Sequence, residues 1–151
     1  MDDELRKARN SAFQFLKTRN RSEKETRLRL LKKKFTGDVV EQTIQYLKSV
    51  QLLDDRQFAR DWIQMRRRKP FGARRILFEL REKGIASEII KEEIEQSTTD
   101  YSEVDAVISL AQKCLQKYQQ LDQPTALRRL AGYLSRRGFN NETIEKVINH
   151  L

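Results

Sequence analysis

Few residues in this chain could do bond-making chemistry. Asp54, Asp55 and Asp61 stand close together, and carboxylates so spaced can gather a divalent cation or share acid–base work. They also have simpler work to do. Asp54 precedes an apolar stripe at helical spacing, which is the N-cap position, and the other two read as helix-surface charges. Cys114 is the only cysteine and His150 the only histidine, so no intrachain disulfide forms. A zinc site of three or four His and Cys ligands cannot be assembled within the chain. Cys114 is spaced from Leu110 and Ala111 as a buried thiol on a helix would be. These residues point away from an enzyme, and neither a metal nor a cofactor is expected.

The cations are the more informative chemistry. Arg66, Arg67, Arg68 and Lys69 run consecutively up to Pro70, and Arg74, Arg75 and Arg81 follow. Cations suit a helix C-terminus, but that effect fades beyond the last turn, and four in a row exceed it. The surplus is expected to meet an anionic partner. Projected at about 100° per residue, Ile76, Leu77 and Leu80 share one helix face, while Arg74, Phe78 and Arg81 share another with Arg75 on its flank. An aromatic set among arginines can stack on a base or enter a partner's pocket. The plainer alternative packs Phe78 on a neighbouring repeat. Lys32, Lys33 and Lys34 form a second cationic end, readable as a contact or as solvated decoration. Trp62, spaced from Phe58 and Met65, reads as core.

Composition frames these residues. The 151-residue chain is 38% hydrophobic and 35% charged, with 5 Gly, 2 Pro, a formal net charge of +9 and a pI near 9.8. So basic a balance points to an acidic partner, nucleic acid first. Its share is +6 over residues 1–53, +2 over 54–97 and +1 over 98–151. No long apolar run for a membrane span and no apolar signal segment is visible, so no membrane partner and a cytoplasmic location are expected.

The elements that must carry these groups read as helices throughout. Apolar residues recur at helical spacing from Leu5 to Leu16, and Ser22 with Glu25 forms a capping box for the next helix. Gly37-Asp38 opens a third. Asp54 caps a helix bearing Phe58, Ala59, Trp62, Ile63 and Met65, which Pro70 ends. Helices over Gly72–Lys83 and from Ser87 follow, then a polar link at Gln96–Asp100 and a long helix over Tyr101–Gln119. The last two begin near Pro124 and Asn141. No strand alternation appears.

The chain also repeats. An offset of 54 lays Ile76, Leu80, Gly84, Ile85, Ile90 and Ile94 on Leu130, Leu134, Gly138, Phe139, Ile144 and Ile148. An offset of 50 lays Leu30, Phe35, Val40 and Ile44 on Leu80, Ile85, Ile90 and Ile94, with Lys34 against Gly84. A unit of this size buries little alone, so the expected fold is all-α: an elongated, curved tandem array of three three-helix repeats at 1–53, 54–97 and 98–151. Each unit has a short turn between amphipathic helices, as helix-turn-helix modules do.

The stretch Leu52–Asp55, Phe58, Ala59 and Trp62, followed by the arginine-rich helix end and then Gly72, Arg74, Arg75, Glu79, Leu80, Lys83, Gly84 and Ile85, resembles the RecX family of regulatory proteins. Ser22–Glu25, Leu31–Phe35 and Tyr133–Phe139 are similar to that family's flanking repeats. The resemblance covers nearly the whole chain. It implies tandem three-helix repeats and a monomeric, non-enzymatic protein. Such a protein binds the RecA recombinase filament, in its groove or by blocking its extension, and lowers its recombinase, ATPase and co-protease activities. Some members also bind DNA, so single-stranded DNA, with double-stranded DNA beside it, is an expected partner. The partner-facing residues would be Arg66, Arg67, Arg68, Lys69, Arg74, Arg75, Phe78, Arg81, Lys32, Lys33 and Lys34. The rival reading from the residues is an autonomous helix-turn-helix nucleic-acid binder.

Overall fold

A computed structural model describes residues 2–151. Among them, nine α-helices follow one another: α1 (Asp2–Leu16), α2 (Glu23–Lys32), α3 (Gly37–Ser49), α4 (Asp55–Arg68), α5 (Ala73–Glu82), α6 (Ser87–Ser97), α7 (Glu103–Lys117), α8 (Gln123–Arg136) and α9 (Asn141–Ile148). The described residues contain no strand. The helix starts are chemically specified. Ser22 and Glu25 complete the capping box, and the side chains of Thr36, Ser102, Asp122 and Asn140 cap α3, α7, α8 and α9. Asp54 Oδ1 accepts from the Gln57 N–H at 3.1 Å and caps α4. Each cap satisfies a donor that the helix itself cannot.

The helix bounds differ from the sequence reading around residue 100. The link expected at Gln96–Asp100 is mostly helical, because α6 runs to Ser97 and a 3-10 turn covers Thr98–Asp100. The helix expected from Tyr101 starts at Glu103, because Ser102 takes the cap position.

The chain forms two compact units. Of the described residues, the first comprises 2–61 and 80–93, the second 62–79 and 94–151. The first is built round Ala12, Leu30, Val40, Ile44, Leu47 and Leu53, with Leu16, Phe35 and Tyr46 packed against them. Burial follows the period of the helices, so on α2 Leu30 is fully buried while Leu28 and Leu31 are exposed. The second is built round Val107, Leu110, Ala111, Cys114, Leu130, Leu134, Phe139, Ile144 and Val147. Met65, expected on the apolar stripe of α4, is exposed.

The repeat is reproduced atom by atom in the turns. Lys34, Gly84 and Gly138 all have positive φ, at 72°, 79° and 87°. Each N–H donates three residues back, to Leu31, Arg81 and Ser135. The next residue, Phe35, Ile85 or Phe139, donates five residues back, to Leu30, Leu80 or Leu134. This is the Schellman closure of a helix, with the following apolar side chain turned back onto it. Lys34 therefore occupies a glycine geometry with a side chain attached.

Each unit also contains one joint of the same design. In the first, Ser22 Oγ donates to the Lys83 carbonyl at 2.7 Å. In the second, the Gly72 N–H donates to the Arg137 carbonyl at 2.8 Å. Ser22 and Gly72 are 50 residues apart and Lys83 and Arg137 are 54 apart, the two repeat offsets. Thus the start of one repeat's second helix is fastened to the turn of the repeat that follows.

Candidate partner-binding surface

Helices α4 and α5 present the cations, and their surroundings sort them into two kinds. Arg66 is drawn inward. Its guanidinium pairs with both carboxylate oxygens of Glu79, the Nε contact at 2.8 Å, and lies 4.0 Å from the centre of the Phe71 ring. The same carboxylate accepts from the Trp62 indole N–H at 3.1 Å. Trp62 is accordingly half-buried, a polar handle keeping it at the edge of the core it was expected to fill. Arg67 donates to Ser97 Oγ at 2.6 Å and stacks 4.1 Å from the Tyr101 ring. Burial holds its pKa below the ordinary guanidinium value, against the favourable pull of Tyr101 and Glu103. The surplus inferred from four consecutive cations is thus smaller than the run suggests, since Arg66 and Arg67 pair within the fold.

Arg68 and Lys69 are exposed. Arg75 is intermediate: it lies 4.3 Å from the Phe71 ring, reaches the Arg136 carbonyl at 3.4 Å and stands 3.6 Å from Glu79. Arg137, which the sequence reading passed over, stacks 4.0 Å from the same ring and donates to the Pro70 and Lys69 carbonyls. Phe71 is therefore a buried ring faced by Arg66, Arg75 and Arg137. Three cations within reach of one phenylalanine were visible in the sequence only as charge.

Arg74 is exposed, but its Nη2 is anchored to Ser135, 2.9 Å from the carbonyl and 3.3 Å from Oγ. Phe78, one turn on, is 63% exposed. The packing alternative for Phe78 does not hold within the chain, because α5 turns Ile76 and Leu80 inward and leaves position 78 on the opposite side. Phe78, Arg74 and Arg75 line an open groove with Glu79, Ser135, Arg136 and Gly138. In the first unit Arg81 is exposed, and so are Lys32, Lys33 and Lys34.

The carboxylates once considered for chemistry are otherwise engaged. Asp55 accepts from the Glu23 N–H at 2.9 Å, and Asp61 from Asn20 at 3.0 Å and Gln57 at 2.8 Å. Among the described residues no group of three or more His, Cys, Asp or Glu is placed to hold a metal ion. No helix there is long and apolar enough to cross a membrane.

The fold and this surface define a class: an all-α protein of three tandem three-helix domains with a cationic exterior. The comparisons with known proteins agree domain by domain. Models of the first, second and third three-helix domains of RecX match residues 8–47, 54–93 and 101–148. "Regulatory protein RecX" of Prosthecochloris aestuarii is 33% identical over 99% of this chain and 97% of its own length. That of Pelodictyon phaeoclathratiforme is 33% identical over 93% and 86%. The crystal structure of RecX from Lactobacillus salivarius superposes with a TM-score of 0.89 over 100% of this chain and 98% of that one, at 23% identity. The chain belongs to the RecX family of regulatory proteins.

Proposed function

We propose that the chain binds the nucleoprotein filament of the RecA recombinase and restrains it, lowering recombination, ATP hydrolysis and co-protease activity by lodging in the filament or blocking its extension. Membership of a family of regulatory proteins, along the whole chain, is the observation that carries this reading. The charge is consistent with it: +9 overall, and exposed Arg68, Lys69, Arg74, Arg81 and Lys32–Lys34 available to acidic protein or phosphate. Arg66 ties α4 to α5 through Glu79 and Arg67 ties it to Ser97 and Tyr101, while the exposed cations make the contact. Filament DNA, chiefly single-stranded, is part of the partner, and no catalytic group is assigned. The repeats that would make these contacts are bounded at 1–53, 54–97 and 98–151.

Sedimentation of preformed filaments with the protein tests this directly. The protein is expected in the pellet with RecA on single-stranded DNA at low stoichiometric ratio, and replacement of Arg68 and Lys69 together should weaken that recovery. Equal recovery with DNA alone would favour the autonomous nucleic-acid binder.

A further inference from the structure

The groove beside Phe78 has a composition that the family name does not explain. Its wall is the phenylalanine, 63% exposed, which is the most exposed of the large apolar side chains among the described residues. Leaving so large an apolar ring in water is unfavourable, and a ring held on a helix offers its face without further ordering. The flanking charges are fixed or free in complementary ways. Arg74 is held at one end by the Ser135 carbonyl and hydroxyl, at 2.9 Å and 3.3 Å, which leaves its remaining N–H groups directed elsewhere. Arg136 is exposed at the groove's rim. Glu79, the acidic group in the lining, is already paired with Arg66 and the Trp62 indole, so it does not oppose an incoming anion at full charge.

We infer that this groove is a subsite for one nucleotide of a single strand, with the base stacked on Phe78 and the adjoining phosphates met by Arg74 and Arg136. Charge complementarity selects an anion, and the aromatic wall selects one that carries a flat apolar face. A nucleotide supplies both at the spacing of one residue, whereas an acidic side chain supplies only the charge. A single strand is required because a duplex hides its base faces in the stack. The inference rests on the proposed function only in taking single-stranded DNA as part of the partner. It names the place where that strand is held.

Fluorescence anisotropy of a labelled oligothymidylate titrated with the full chain at low salt tests the subsite. Phe78→Ala is expected to weaken binding by about tenfold or more while leaving the salt dependence unchanged. Arg136→Gln is expected to lower the salt slope by about 0.7, the loss of one phosphate contact. In Phe78→Trp, affinity should be kept and the new indole quenched on binding, beyond the Trp62 background seen in the wild type. Because Phe78 is exposed, an unchanged circular-dichroism melt is expected for these variants. Wild-type affinity in Phe78→Ala overturns the inference. So does a Phe78→Ala protein that binds oligothymidylate normally yet fails to inhibit RecA, which would give the groove to a protein partner and leave the proposed function standing. If the oligonucleotide does not bind the wild type at all, the subsite is likewise refuted, whereas failure to inhibit RecA with oligonucleotide binding intact would refute only the proposed function.

Discussion

Gly72 and Gly138 lie back to back: a Cβ on Gly72 would overlap the carbonyl of Gly138, and one on Gly138 would overlap the backbone of Arg75. Two bonds hold them there, both donated from the start of α5: the Gly72 N–H to the Arg137 carbonyl at 2.8 Å and the Arg74 N–H to the Gly138 carbonyl at 3.1 Å. At Gly138 a positive φ of 87° adds a conformational demand to the steric one. Gly138→Ala and Gly72→Ala are therefore expected to destabilise the protein by about 2 kcal/mol or more, through steric overlap at both and backbone strain at Gly138. Gly37→Ala is the control, because open space surrounds that position at the first turn of α3. Urea unfolding of the three variants would show the difference.

The first turn makes the opposite prediction. Lys34 holds φ at 72° where the equivalent turns use glycine, and an L side chain in that region costs roughly 1 kcal/mol. Lys34→Gly should raise stability by a fraction of that, since glycine also gains freedom in the unfolded chain. An increase in the urea midpoint with an unchanged slope would bear this out, and a decrease would mean that the Lys34 side chain makes a stabilising contact.

Arg66 and Arg68, two positions apart, should behave differently. Arg66→Gln removes the partner of a half-buried carboxylate, with side-chain exposures of 15% for Arg66 and 17% for Glu79. It should cost about 1–3 kcal/mol. Arg68→Gln, on an exposed side chain, should leave the melting temperature unchanged and register in partner binding alone. Thermal unfolding followed by circular dichroism distinguishes them.

Acid should loosen the first unit through Glu93. This carboxylate is 2% exposed and is held by Arg60, at 3.0 Å through both Nε and Nη2, and by Arg56 at 3.1 Å. The hydrogen bond from Arg60, foremost, holds its pKa below the ordinary glutamate value despite burial. A depressed carboxylate stabilises the fold above its unfolded pKa, and that contribution is lost as pH falls through the folded value. Wild-type stability is therefore expected to fall below about pH 4.3, the ordinary glutamate range. In Glu93→Gln, already destabilised at neutral pH, the fall should be shallower. Parallel pH profiles for the two proteins would remove Glu93 from the account.

How much of this was legible in the sequence follows from what each feature depends on. The helices were legible because their caps are local: Ser22 with Glu25, or Asp54 ahead of Phe58, need no knowledge of the rest of the chain. The repeat was legible because Leu30, Leu80 and Leu134 recur and are all fully buried. The fate of the cations was not. Arg66, Arg67 and Arg68 are consecutive and chemically alike, and what separates them is contact with Glu79, Ser97 and Tyr101, which lie 13 or more positions away. Arg137 was invisible for the same reason, since its place over Phe71 exists only once Gly72 has met Gly138. Phe78 lay between: its helix face was legible, but whether a neighbouring repeat covered that face was not.

Restraint of the filament is read from phosphate release by RecA on single-stranded DNA with ATP, followed as the protein is added. Hydrolysis is expected to fall at or below one chain per RecA monomer, and less inhibition should remain when Arg68 and Lys69 are replaced in a protein that still melts normally. Undiminished hydrolysis in the presence of stoichiometric, folded wild-type protein would contradict such restraint.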